Sequence, residues 1–454
     1  MHNERYAPVG DRPLHATTTL DRPTPGTGRR HAPLGVLAVL VATAGLGLSY
    51  GVGYTATTLQ FAAWGAPGWL TGLAGAAPSL AVLLLVPFAP VIAGRVGVVP
   101  AMLAGAVLGA ISFALLPVLD GPGWWLLLRF LAGAGLTLPW LLGETWINLV
   151  TRDQIRGRVL ALYTVVLFGA WAVGPELLAR LGTTPATTSA LGVAAMAIAA
   201  TPLALAARLA PRLPGATRVR IRSALGLAPF AMAAALAGGV AEFGAVSLLP
   251  VQALAVGLDQ DTVLRLLSLL LVGGIALQPV IGWLADRVDR GQLLGGLGAA
   301  LAVLGLALAV GLGTPGVATV TVTLLGGVVM GFYTVGLTLL GEQVRPHRMV
   351  AANAAFLVAY EAGATVGPVA AGAALDRWPS AGLGLVLLLA GLTYAGFIAG
   401  GRRTARNRAS VTGSNGRPKR RRGARRRRPG HGRDRRVAPA GRRLGPGTTT
   451  VSSR

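Results

Sequence analysis

The sequence predicts an all-α membrane protein: twelve transmembrane helices in two pseudo-symmetric six-helix bundles, with both termini cytoplasmic. Three observations carry that prediction. The chain has 454 residues, of which 53% are hydrophobic and only 13% charged, too apolar a balance for a soluble protein of this size. Between residues 34 and 400 it divides into twelve apolar runs, each long enough to cross ~30 Å of hydrocarbon at about 1.5 Å per residue. It also repeats itself in part. From Gly133 to Glu144 and from Gly331 to Glu342 both stretches begin on glycine and end on L-L-G-E, five identities in twelve at an offset of 198 residues.

Residues 1–33 are polar, rich in Pro, Thr and Arg, and without periodicity, so a disordered cytoplasmic arm is expected there. This arm is too long and polar for the n-region of a cleaved leader, and the first apolar run is too long for an h-region, so that run is expected to stay in the protein. Crossings are expected near 34–58, 68–93, 99–119, 122–150, 157–181, 187–210, 225–250, 263–286, 291–312, 316–341, 349–372 and 381–400. Residues 34–210 then form an N-terminal bundle and 225–400 a C-terminal one, joined by a basic cytoplasmic linker, 211–224. Glycine supplies 65 residues, many inside the crossings, as suits helices that pack through small side chains because lipid gives them no hydrophobic drive to associate.

Arginine in the loops sets the orientation. With the amino terminus inside, the inner loops hold thirteen arginines, Arg95 to Arg348, and the arm adds five, whereas outside lie only Arg180, Arg265 and Arg377. Both termini are therefore expected inside, in agreement with an even number of crossings.

The same composition narrows the chemistry. Cysteine is absent, which removes disulfides and thiolate metal sites. The five histidines all lie outside the apolar runs, so no metal centre and no cofactor are expected, and an enzyme is not indicated. No G-x-x-x-x-G-K-[ST] phosphate loop is present, which argues against ATP-driven chemistry. The net charge of +25 is concentrated: residues 401–454 hold 19 of the 41 Lys and Arg against one acid, Asp434. No aromatic interleaves those arginines, so a nucleic-acid stacking surface is not expected. The segment 401–454 reads as a disordered cytoplasmic tail adhering to anionic inner-leaflet lipid.

At the end of the eighth run stands Gly282-Trp283-Leu284-Ala285-Asp286-Arg287-Val288-Asp289-Arg290. It resembles the G-x-x-x-D-R-x-G-R loop signature of the major facilitator superfamily, with Asp289 where that family usually has glycine. The matching loop of the first half, Gly94-Arg95-Val96-Gly97, keeps the arginine and has lost the aspartate; Arg95 and Arg287 are 192 residues apart. Arg129-Phe130-Leu131-Ala132-Gly133-Ala134-Gly135 resembles the family's R-x-x-x-G-x-G pattern in the fourth crossing. Gly174-Pro175 in the fifth crossing, and Gly363, Gly367-Pro368, Ala371 and Gly372 in the eleventh, resemble the bend of proton-driven antiporters, although Leu177 and Leu178 replace the trailing small pair in the first copy. Glu144-Thr145-Trp146 is similar to an E-[ST]-W element of uncharacterised bacterial permeases in that family. The resemblance covers about residues 34–400.

It implies two bundles that rock about a midplane site in a monomer of the cell membrane. It also implies a cytoplasmic latch, here Asp286, Arg287, Arg290 and Glu342, with Arg95 and Glu144 as a weaker counterpart; the alternative is that these are solvated loop charges. Charges well inside the runs are Arg129, Glu176, Glu242 and Glu361, in the fourth, fifth, seventh and eleventh crossings. Such charges are tolerated where they face protein or water and mark function by default. Glu361 and Glu242 are therefore candidates for proton or cationic-substrate binding, and Arg129 with Glu176 for a structural pair that also switches. Tyr54, Trp140, Tyr163, Tyr333 and Tyr360 are candidate cavity-lining groups, suited to an amphiphilic or cationic solute. The expected function is secondary active transport by alternating access, proton-coupled export of a small organic solute. Proton-coupled uptake of a sugar or metabolite, or a membrane anchor presenting a nucleic-acid-binding basic tail, are the alternatives.

Overall fold

A computed structural model of the chain describes residues 28–211, 224–345 and 348–414. Most of the arm, residues 212–223 of the linker and residues 415–454 of the tail lie outside these. Among the described residues eleven helices are long and apolar enough to span a membrane, and the pair Ala89–Val96 and Val98–Ala114, bent by 116°, raises the number to twelve. The bend falls at Gly97, whose φ of 95° suits glycine. There the chain reverses, so that Ala89–Val96 completes crossing two and Val98–Ala114 forms crossing three.

The crossings are Gly28–Ala63, Gly68–Leu85 with Ala89–Val96, Val98–Ala114, Pro122–Val150, Asp153–Leu181, Pro185–Leu205, Pro229–Ala255, Gln260–Ala276 with Gln278–Ala285, Arg290–Gly311, Pro315–Gln343, Met349–Arg377 and Gly382–Ser414. Four of them start on proline at the first helical position, where its missing N–H has no intrahelical partner to lose. Crossings two and eight are each interrupted in their last third, beside Pro87 and beside Pro279, which stand 192 residues apart. Most boundaries shift by a few residues from expectation, and the two terminal ones shift most. The first helix already begins at Gly28, and the last runs on to Ser414 instead of ending at 400, where no proline interrupts the Arg-bearing sequence that follows.

The two halves are built alike. In the first, crossing one packs on five and six, and crossing four on two and three; in the second, seven packs on eleven and ten on eight and nine. Across the halves, two meets eleven and five meets eight, and a two-fold exchange of the halves turns one seam into the other. Glycines allow the closest approaches: a Cβ on Gly174 would meet the backbone of Gly51 and Val52, one on Gly367 that of Val240, and one on Gly305 that of Leu388 and Gly384. The predicted helix bends therefore sit at packing contacts, and both helices run through Pro175 and Pro368 unbroken. One buried amide ties three helices of the second half. Gln252 donates from Nε2 to the Leu308 carbonyl at 3.1 Å, and its Oε1 accepts from the Leu383 and Gly384 amides at 3.0 and 3.3 Å.

Each loop takes the number of the crossing it follows; because successive crossings run in opposite directions, the odd-numbered loops lie on one face of this arrangement and the even-numbered loops on the other. Cross-half contacts gather toward the odd-loop face. There Gly68 and Gly72 lie against Gly372 and Pro368, Thr58 donates to the Ser247 carbonyl at 2.9 Å, and Gln260 donates to Thr183 at 3.2 Å.

Candidate functional site

A narrow cavity opens between the halves, lined by side chains of crossings one, two, four, five, seven and eleven. Its volume of about 60 Å³ admits a few water molecules but not a drug-sized solute. Two carboxyls reach it, Glu242 and Glu361, both from the second half and only 3% and 4% exposed. Tyr360, one residue before Glu361, donates to Glu242 Oε2 at 2.6 Å. The other oxygen, Oε1, is buried and has no partner among the described residues.

Around the acids runs a continuous series of rings. Tyr50 and Tyr54, one helical turn apart in crossing one, stack on Trp171 of crossing five at 5.3 and 5.7 Å between centroids. Tyr54 meets Phe243 at 5.8 Å, Phe243 meets Tyr360 at 5.9 Å, and Tyr360 meets Tyr333 at 5.0 Å. The chain of contacts thus passes from one half to the other through Tyr54 and Phe243. Such pairs contribute roughly 0.5–1.5 kcal/mol each beyond their burial, and their electron-rich faces attract cations.

Arg129 lies behind this wall. It is 3% exposed, its guanidinium carbon stands 4.5 Å from the centre of the Tyr54 ring, and Nε and Nη2 have no hydrogen-bond partner among the described residues. Gly53 makes the room: a Cβ there would collide with Nη1. A desolvated cation on a tyrosine face gains about 2 kcal/mol, less than the several kcal/mol that removing an ion from water costs. The predicted pair with Glu176 is not formed. Glu176 instead accepts from Arg180 Nη2 at 2.7 Å one turn along the same helix, with the glutamate side chain 43% exposed. Arg180, at i+4 on the same helix, is the partner Glu176 takes.

Of the predicted cavity residues, Tyr54, Trp140 and Tyr360 line the space. Tyr163 instead donates to the Trp140 carbonyl at 3.4 Å, and Tyr333 stands one ring further out, against Tyr360 and Phe356. Sequence reasoning missed Ser79, Trp171 and Phe243, which line the cavity directly. Ser79 had a signal: apart from Thr71 it is the only hydroxyl in the second apolar run.

The residues predicted for a latch are placed as follows. Arg290 is bonded to Glu342, but both belong to the second half. Arg287 stacks on Trp283, with its guanidinium carbon 4.1 Å from the ring centre. Asp289, where the loop signature has glycine, caps crossing nine by accepting from the Gln292 amide at 2.9 Å. Asp286 and Arg95 are exposed, and no ion pair joins Arg95 to Glu144 among the described residues.

This arrangement has parallels. A family model described as Major Facilitator Superfamily matches residues 34–368 and 255–430. The uncharacterized MFS-type transporter YfkF of Bacillus subtilis (strain 168) is 24% identical over 354 residues, 77% of this chain and 90% of that one. The uncharacterized MFS-type transporter YcaD of Escherichia coli O9:H4 (strain HS) is 24% identical over 246 residues, 54% of this chain and 63% of that one. Among solved structures, a variant of the nucleoside transporter NupG superposes with a TM-score of 0.66 at 14% identity, covering 80% of this chain and 98% of that one. A bacterial homolog of the human lysosomal transporter Spinster, in an inward-facing and occupied conformation, gives 0.64 at 13% identity, covering 84% and 98%. A twelve-helix frame of two related halves, a cavity at their junction and a family match along most of the sequence lead to one assignment: this chain belongs to the Major Facilitator Superfamily and is a multi-pass transporter of the cell membrane.

Proposed function

We propose that the chain carries out proton-coupled export of a small amphiphilic or cationic organic solute by alternating access. The observation that carries this reading is the pair Glu242 and Glu361, two carboxyls of one half facing a single aromatic-walled cavity. A carboxyl in such a place binds either a proton or a cationic group, and competition between the two for one site is what exchange requires. The rings offer apolar surface and cation-attracting faces to the rest of the solute. The glycine and proline pattern of crossing eleven, with its resemblance to proton-driven antiporters, supports exchange over co-transport. Loop arginines support an internal even-loop face, and the gathering of cross-half contacts on the odd-loop face then reads as a state closed toward the outside.

Flux in liposomes tests this. With purified protein and an imposed pH gradient, Glu361→Gln is expected to lower gradient-driven flux at least about tenfold, since a lost hydrogen bond to a charged group costs ~1.5–3 kcal/mol. Full flux in that variant removes Glu361 from the coupling role.

Arg290 and Glu342, already bonded within the second half, belong on the same reading to the latch that is completed when the even-loop face closes, with Arg287 and Asp286 as its loop partners. The side chains of Arg290 and Glu342 are 24% and 53% exposed, and partly exposed pairs contribute ~0.2–1 kcal/mol. Glu342→Gln is therefore expected to shift the balance of the two states about two- to fivefold. Unchanged inter-half distances and unchanged flux in that variant leave these groups as solvated loop charges.

A further inference from the structure

The two seams end differently on the odd-loop face. Crossing two opens with Pro67 at its cap position, a residue that makes no side-chain cap. The first two amides of the helix, those of Gly68 and Trp69, have no intrahelical acceptor. Both donate to Asp376, at the end of crossing eleven in the other half: Gly68 to Oδ1 at 2.5 Å and Trp69 to Oδ2 at 2.9 Å. The corresponding position in the repeat, 192 residues on from Pro67, is Asp259. There the helix caps itself, with the Thr262 amide donating to Asp259 Oδ1 at 2.9 Å and the Thr262 hydroxyl to Oδ2 at 2.7 Å. Crossing eight thus closes its own amino terminus, while crossing two has its amino terminus closed by the opposite half.

We propose that Asp376 is a positioning residue of the transport cycle, a bolt that holds the odd-loop face shut by capping crossing two across the seam. The contact persists only while Gly68 and Gly72 lie against Gly372 and Pro368, where a Cβ on either partner would meet backbone. Parting the halves on this face breaks both hydrogen bonds and leaves two helix-end amides for water or solute to satisfy. A carboxylate at a helix amino terminus also gains from the helix dipole. The bolt therefore biases the cycle toward the state open on the other face. It rests on the alternating-access reading above, but its test reads distances, not flux.

The chain contains no cysteine, so introduced cysteines are unique labelling sites. Spin labels at Ala66 and Ser380 report separation of the halves on the odd-loop face, and labels at Gln154 and Val350 report the opposite face, all in the full-length protein in lipid nanodiscs. Asp376→Asn is expected to lengthen the first distance and shorten the second, lowering the ratio of closed to open odd-loop face about three- to tenfold. Gly372→Ala, which keeps the Asp376 carboxylate but wedges the seam it spans, is expected to move both distances the same way. Adding Pro67→Asp to Asp376→Asn gives crossing two its own cap, as Asp259 gives crossing eight, and is expected to leave the face open. Wild-type distances in the double variant make Asp376 a helix cap and nothing more, and wild-type distances in Asp376→Asn overturn the bolt outright. An absence of solute flux in wild-type liposomes defeats the transport reading without deciding the distances.

Discussion

The seam between crossings two and eleven and the seam between five and eight are related by the duplication, yet they hold the halves together by different means. At the first, backbone lies on backbone: Gly68, Gly72, Gly372 and Pro368 leave no room for a further carbon, and Asp376 fastens the end. At the second, side chains reach across, Ser268 to the Ala172 carbonyl at 3.2 Å and Gln260 to Thr183 at 3.2 Å. Backbone packing is rigid and breaks as a unit, because dispersion between close surfaces falls off within an ångström. Bridges between side chains bend and re-form. On the proposed alternating-access reading, one seam serves as a clasp and its mate as a sliding contact, a firm edge and a compliant one.

The unequal seams accompany an unequal centre. The first half brings a cation, Arg129, and the stacked rings of Tyr50, Tyr54 and Trp171; the second brings both acids, Glu242 and Glu361. The duplication preserved the helical frame and its glycine contacts, and divided the charges between the copies. The sharpest way to break the comparison is to overfill the clasp. Gly72→Leu places four carbons against the Pro368 carbonyl, and overpacking of this kind costs ~1–3 kcal/mol. Solute flux is expected to fall about tenfold, with the odd-loop face held apart in spin-label distances. A similar loss from a leucine at Ala172, on the other seam, would erase the distinction.

Much of this frame was legible in the sequence. Crossing four was expected at 122–150 and found at Pro122–Val150, because a proline start and a long apolar run mark a spanning helix without reference to its neighbours. The acids of crossings seven and eleven were legible for a related reason: a charge in an apolar run must face protein or water, whatever the fold. What sequence could not supply was rotation about the helix axis. In lipid both faces of a helix are apolar, so the periodicity that points a soluble helix at its core is nearly flat. Trp171 and Phe243 therefore carried no mark of the cavity they line, Ser79 only that of a rare hydroxyl in an apolar run, and Glu176 gave no sign that it turns toward Arg180 instead of Arg129. Asp376 illustrates the same limit, since its partners are the main-chain amides of Gly68 and Trp69, groups that every residue but proline possesses.

The smallest expected effect sharpens the comparison most cleanly. Gln260 stands where Gly68 stands in the other copy, 192 residues earlier, at the start of its helix and against the opposite half. Its link to Thr183 is a neutral, exposed hydrogen bond, and substitutions at such sites change stability by no more than ~0.5 kcal/mol. Nor does the helix need Gln260 for its amino terminus, because Asp259 supplies the cap. The Thr262 hydroxyl, and then the Thr262 amide, hold the Asp259 carboxyl below its ordinary range. That contribution is accordingly present above the usual carboxylate pKa and is lost only as pH falls through the lowered one. Gln260→Ala should leave flux and odd-loop distances within about twofold of wild type at neutral pH. The two positions face each other through the symmetry of the fold, so a large effect at Gln260 would mean that both seams are clasps, and the asymmetry read from Pro67 and Asp259 would fail with it.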